Sequence, residues 1–321
     1  MTLLRRTHTQ DKAQILRAFD PFTNPGDYQG MLIGNDLDSV VSACFLKEKF
    51  GWDVAAVYDY KNLWVSGERK AFLEKFNAGK FVAIDLDIYF SKVYSLGHHI
   101  LEHQARDLLP GHARTLNPNF IRGVNVADFK RKYPLGTIHF LLWLLGCDSL
   151  SREGLLTVWL ADSSFINGQS HKYARNVREW VENYLSLDIF KTMLDEIDTK
   201  EFEQELSAGV LQTLKGLDLC GHSGQVASRH LNLTGYQCQW SDPNSQNKNV
   251  QDLFAAISRL TGWAAPVFPG RFELMEGHRH KISLEEILGE HRSLDAFLAD
   301  EHVFSYVFPY NDSVNFTHKF A

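Results

Sequence analysis

Met31-Leu-Ile-Gly-Asn-Asp-Leu-Asp38 is an apolar run that ends in two carboxylates. Ser39-Val-Val-Ser-Ala-Cys-Phe-Leu follows at once with helical periodicity. A buried strand, an Asp-x-Asp turn and a helix N-terminus make a corner suited to a cation or a phosphate. Asp36 and Asp38 are two apart, so at an extended strand end they face one way. Two carboxylates so placed repel each other unless a cation neutralises them. Ser39 is the expected N-cap.

Three other stretches end in the same manner. Phe81-Val-Ala-Ile-Asp85 closes on Asp85, with Asp87 as a supporting or exposed carboxylate. Val93-Tyr-Ser-Leu-Gly-His-His99 closes on adjacent histidines. Neighbours on a strand point to opposite sides, so one could ligate a metal while the other faces substrate or core. His103, four residues after His99, would share a helix face with it. Leu155-Leu-Thr-Val-Trp-Leu-Ala-Asp162 ends in Asp162, and Ser163-Ser164 could cap the next helix. Such ends project from the carboxyl edge of a sheet, where sites form in open α/β folds. Four together could hold two divalent cations and a phosphate.

Outward from these stretches, strands are expected at 30–34, 53–58, 81–86, 92–96, 113–116 and 155–161. Helices are expected at 39–50, 66–78, 100–107, 125–132 and 135–146. This alternation predicts an α/β fold with a parallel five- or six-stranded sheet flanked by helices over residues 29–168. Residues 1–28 read as an N-terminal extension, a short helix and a loop. Residues 169–216 read as a helical linker whose acidic stretch, 195–205, is a solvated face. Past 217 glycine, serine, asparagine and aromatics rise. Residues 217–321 are therefore expected to form a smaller C-terminal α+β domain, with a helix at 250–261 and strands near 272–276 and 302–308.

The chain has 321 residues, 44% hydrophobic and 22% charged, the balance of a soluble globular protein. No apolar run approaches the roughly 18 residues of a membrane span, and the N-terminus lacks an apolar signal core. A cytoplasmic setting with no membrane partner is expected. The four cysteines, Cys44, Cys147, Cys220 and Cys238, form no CxxC pair, which argues against a zinc knuckle or a disulfide framework. A net charge of −6 argues against a coat for long duplex DNA.

Taken in order, Asp36 and Asp38, Asp85, His98-His99 and Asp162 resemble the motifs of the DHH phosphoesterase superfamily, most closely its RecJ-like branch. Leu116-Asn-Pro-Asn119 resembles the Asn-Pro segment of that branch, and Gly136-Thr-Ile-His-Phe-Leu-Leu its small-residue helix start. The likeness spans residues 29–168 and rests on motif order and strand context. Gly97 stands where the signature has its first Asp. For the family's Gly-Gly-His segment the chain offers Gly221-His-Ser-Gly224 and Glu276-Gly-His-Arg-His280.

The resemblance implies a metal-dependent phosphodiesterase acting on single-stranded or short nucleic acids, as an exonuclease or an oligonucleotide or dinucleotide phosphodiesterase. It implies two divalent cations, Mn2+ most often in the family and Mg2+ as the alternative, held by Asp36, Asp38, Asp85, His98 and Asp162. Asp85 would bridge them and His99 would bind a phosphoryl oxygen. Arg114, Arg122, Lys130, Arg131 and Lys132 flank the Asn-Pro segment and could hold strand phosphates. Asn117 and Asn119 would join in substrate binding, with Phe120 or Tyr133 available for base stacking. His222 or His278 could clamp a terminal phosphate from the C-terminal region. A homodimer is left open. The rival readings are a phosphomonoesterase on a small phosphorylated metabolite, or a degenerate DHH domain that binds a nucleotide or a protein, which Gly97 favours.

Overall fold

The computed structural model describes residues 12–103, 109–147, 149–169, 174–219 and 238–320. The chain divides into two compact units, each assembled from separated segments. One unit takes Met1–Gly34, Val54–Lys132 and Arg271–Ala321; the other takes Asn35–Asp53 and Tyr133–Gly270. This division differs from the consecutive blocks that composition suggests.

The first unit is built on a seven-stranded, mostly parallel sheet. Its strands are β1 (Gly30–Ile33), β2 (Val54–Tyr58), β3 (Leu63–Ser66), β4 (Phe81–Ile84), β5 (Tyr94–Leu96), β6 (Thr115–Leu116) and β7 (Phe272–Met275). The order is β6-β5-β4-β1-β2-β3-β7. From β6 to β2 all pairings are parallel, whereas β3 runs antiparallel to β2 and to β7. The α/β class is as expected, and the parallel part has five strands. Strands β3 and β7 extend it: β3 lies just before the helix expected at 66–78, and β7 joins this sheet instead of a separate C-terminal domain. Strands β1 and β4 are buried throughout, which is why both read as unbroken apolar runs. From β1 the chain moves out to β2 and β3, then returns to place β4 on the other side of β1. That reversal opens a crevice at the carboxyl ends of the strands.

The helix Arg69–Asn77 covers this sheet with Phe72 and Phe76, which cluster with Leu32, Tyr58, Phe81 and Phe304. A second, three-stranded antiparallel sheet belongs to the same unit: β8 (Arg279–Ser283), β9 (Val303–Tyr310) and β10 (Ser313–His318), in the order β8-β10-β9. Phe304 O accepts from Tyr89 N at 2.7 Å, and Ser305 Oγ donates to Asp87 O at 3.1 Å. Strand β9 is thus fastened to the segment that follows β4. Residues 100–103 are not helical, so His103 shares no helix face with His99; the rest of the helix expected at 100–107 lies outside the described residues. Residues 126–131 form a 3-10 helix.

The second unit is helical. Leu37–Phe50 packs against Thr137–Leu145 and Asn247–Thr261, and the last of these also packs on Arg152–Leu160. The strand expected at 155–161 is therefore a helix. Ser151 caps it by accepting from Gly154 N at 3.0 Å, and every residue from Gly154 to Leu160 is buried. A helix buried on all sides gives the same unbroken apolar run as a buried strand. No helix among the described residues is long and apolar enough to cross a membrane.

Candidate metal centre

Asp85 stands immediately past β4, with φ 59° and 1% of its surface exposed. Aspartate tolerates this left-handed conformation better than most residues. The turn swings its carboxylate toward the residues that follow β5. His99 Nε2 lies 3.2 Å from Asp85 Oδ1, and His98 Nδ1 lies 3.6 Å from the same oxygen. The two rings lie close together and tilted by 38°, with centroids 4.1 Å apart. The histidines therefore converge on one carboxylate, contrary to the expectation of opposite sides. They sit past the end of β5, in a turn where strand alternation no longer applies.

Three ligand atoms, one each from Asp85, His98 and His99, lie within 4.8 Å of one another. Two imidazole nitrogens and a carboxylate oxygen suit a first-row divalent cation such as Mn2+, Fe2+ or Zn2+. The donor chemistry therefore fits a metal.

Asp87 supports the pair. Its Oδ2 accepts from His99 N at 2.8 Å, and its Oδ1 accepts from Asn117 Nδ2 at 2.9 Å. Burial pushes its carboxyl above the usual range, while His99 and Asn117 pull in the other direction. Gly97 is shaped to this residue. A Cβ there would lie 2.8 Å from Asp87 Cγ and Oδ2, and 2.8 Å from the Leu86 carbonyl carbon. The space that a side chain at position 97 would enter already holds the Asp87 carboxylate.

Asn117 and Asn119, expected to meet substrate, are fully buried. Asn117 follows β6 and caps the helix Pro118–Arg122 by accepting from Asn119 N at 2.8 Å. Asn119 Nδ2 donates to His98 O at 3.0 Å and to Ile100 O at 3.1 Å. Both amides hold the histidine turn in place. Tyr60, which no motif marks out, places its hydroxyl 3.1 Å from His99 Nε2.

The second unit holds the other carboxylates. Asp36 is the N-cap of Leu37–Phe50, accepting from Ser39 N at 3.1 Å, so the cap is Asp36 and not Ser39. The helix starts at Leu37, and Asp36 and Asp38 do not share one face of an extended strand. Asp38 is fully buried and accepts from Thr137 N at 2.6 Å and Ile138 N at 3.1 Å. It sits at the positive end of Thr137–Leu145, where a negative charge is favoured. Gly136 permits this approach, because a Cβ there would come within 2.7 Å of Asp38 Oδ1. Asp162 follows the helix Arg152–Leu160 with φ 53°, and it offers a carboxylate oxygen within 4.8 Å of one on Asp38. Ser164 starts the next helix; its Oγ accepts from Gly136 N at 3.2 Å.

The expected phosphate-holding residues are scattered. Arg114 donates to Lys92 O at 2.8 Å and lies over the Tyr94 ring. Arg122 ends the helix Pro118–Arg122. Lys130 and Arg131 are exposed on the 3-10 helix, as a solvated basic face would be. Phe120 and Tyr133 are buried and not available for base stacking; the Tyr133 hydroxyl donates to Gly136 O at 3.2 Å. His278 is exposed just before β8, with its ring 6.4 Å from that of His280. Gly221-His222 and Cys220 lie outside the described residues.

Comparison with known proteins finds no matching family model, no matching curated protein and no matching solved structure.

Proposed function

We propose that this chain is a metal-dependent phosphodiesterase of the DHH type that hydrolyses single-stranded or short nucleic acid. The observation that carries the reading is the Asp85–His98–His99 cluster past adjacent parallel strands. Buried carboxylates and imidazoles sharing ligand distance at a sheet's carboxyl edge are what a hydrolytic cation needs. In this reading Asp85 and His98 hold metal, and the resemblance assigns Asp36, Asp38 and Asp162 to the same pair of cations. Two Mn2+ ions are proposed, which when bound would lower the pKa of a water and neutralise charge on the phosphate.

The chain's own residues do the rest. In this reading His99 serves the phosphate and not a metal: Asp85 O, an acceptor only, lies 3.2 Å from its Nε2 and favours the tautomer that carries the proton there. A phosphoryl oxygen presented to it would receive the same hydrogen bond, which strengthens as charge builds on the oxygen. Asp87, Asn117 and Asn119 fix the turn that aims both rings.

Digestion of 5′-labelled short and long single strands with manganese tests the reading. The expected result is cleavage that a chelator abolishes and that Asp85→Ala lowers by at least roughly 100-fold, the upper end seen for residues one shell further from a metal. Hydrolysis of a phosphomonoester reporter alone would move the substrate to small phosphorylated molecules. Bound manganese with no hydrolysis of either would leave a binding module, the reading that Gly97 favours.

A further inference from the structure

His278-Arg-His280 leads into β8, and Phe316-Thr-His318 closes β10. Residues two apart on a strand share a face. The antiparallel register sets His280 opposite Phe316 and Arg279 opposite Thr317. Continued by one residue, it sets His278 opposite His318. Arg279 and Thr317 turn to one side of this small sheet, where both meet Tyr60. The three histidines therefore share the other side. Their contacts agree: the His280 ring lies 5.0 Å from that of His318 and 6.4 Å from that of His278. His280 and His318 both pack against Phe316 between them. His278 and His280 are exposed, and His318 is half-buried.

We propose that His278, His280 and His318 form a zinc site on the face of the small sheet turned away from Tyr60, separate from the Asp85–His98–His99 cluster. Three imidazoles that leave a fourth position to water are a known ligand set for Zn2+, and they suit it better than the oxygen-preferring Mn2+. A Zn–N bond of about 2.0–2.1 Å puts each ring centroid about 3.2 Å from the ion, so two rings sharing a tetrahedral ion stand about 5 Å apart. His280 and His318 stand at that separation. His278 is wider by about 1 Å, a gap that an exposed side chain closes by turning about its side-chain bonds. His318 is anchored for the role. Its Nδ1 lies 2.6 Å from Glu301 O, which leaves Nε2 as the nitrogen for an ion. Metal-binding imidazoles are commonly fastened through their second nitrogen to a backbone carbonyl in this way. The consequence is mechanical. In its sheet β8 pairs with β10 alone, and the ion would tie the two strands through side chains as well.

This proposal does not depend on the phosphodiesterase reading, and two measurements on the full chain test it. The first is equilibrium dialysis with zinc chloride in an Asp85→Ala background, which disables the other cluster. One bound ion is expected. Adding His278→Ala or His280→Ala should weaken its binding by at least roughly 100-fold, the upper end for residues one shell further from a metal. Both side chains are exposed, so these substitutions should leave the fold intact. Equal zinc binding by the chain carrying both substitutions would overturn the proposal. So would binding that needs millimolar zinc, as a lone surface histidine does. The second measurement uses the native chain, labelled with 15N at histidine, and needs no change at Asp85. The NMR signals of His278, His280 and His318 are expected to move together as zinc is added, while His98 and His99 report on the other cluster separately. Zinc uptake that leaves the first three signals in place would sink the assignment.

Discussion

Gly97→Asp, which would create the three-residue signature of the DHH family that these motifs resemble, is expected to destabilise the protein by about 3 kcal/mol or more. The new Cβ would lie 2.8 Å from both the Asp87 carboxylate and the Leu86 backbone carbon. A second carboxylate would then share a pocket in which Asp87 is only 2% exposed, and like charges held that closely cannot both ionise cheaply. Urea unfolding of four proteins decides the matter: native, Gly97→Asp, Asp87→Ala and the double variant. Asp87→Ala alone takes the acceptor from His99 N and from the Asn117 amide, which should cost about 2–3 kcal/mol. In the double variant the side chain at 97 enters the space that Asp87 vacates. The two costs should therefore combine to less than their sum, by about 1–2 kcal/mol. Strict additivity would show that the two positions do not compete for one space.

Acid should destabilise the protein through His112. His112 is fully buried, with Nδ1 3.0 Å from Thr115 Oγ1 and Nε2 3.2 Å from the Tyr306 hydroxyl. The Tyr89 and Phe120 rings also face it, and no charged partner pairs with it among these contacts. Burial lowers its pKa from 6.5 to about 3. The unfolded chain takes up a proton near pH 6.5 that the folded chain refuses until about pH 3. The stability His112 lends is thus complete above pH 6.5, declines as pH falls through that window, and levels off near pH 3. The loss amounts to at most about 5 kcal/mol over the window. Urea midpoints from pH 7.5 down to pH 4 should fall more steeply for the native chain than for His112→Gln. Parallel pH slopes for the two proteins would exclude this account.

How much of this was legible in the sequence depends on the physics of each position. Asp85 and the histidine pair could be read because a parallel strand buried on both faces announces itself as an apolar run, and the first polar residue after it leaves at the sheet's edge. The same logic misplaced Asp162, since a helix buried on all sides produces the same run; the Ser151 cap was the signal that separates the two. Asp36 and Asp38 stand out in the sequence as a pair, but they do not adopt the extended-strand geometry expected of them. A side chain that caps a helix and one that meets another helix's N-terminus look alike as Asp-x-Asp. Asn117 and Asn119 were legible as a motif and not as a task, because only the folded chain reveals that their amides face inward. Tyr60 left no trace at all. Its position depends on a left-handed turn and on Thr317, more than 250 residues away in sequence.

Strand β7 pairs with β3 although about 200 residues separate them. During synthesis, the ribosome will therefore extrude β1 to β6 long before β7 emerges. Until residue 275 has cleared the exit tunnel, β3 presents an open row of amide and carbonyl groups beside Leu63, Trp64 and Val65. The nascent chain carries this sticky margin while about 200 further residues are made, and a chaperone that shields extended edges would find its client there.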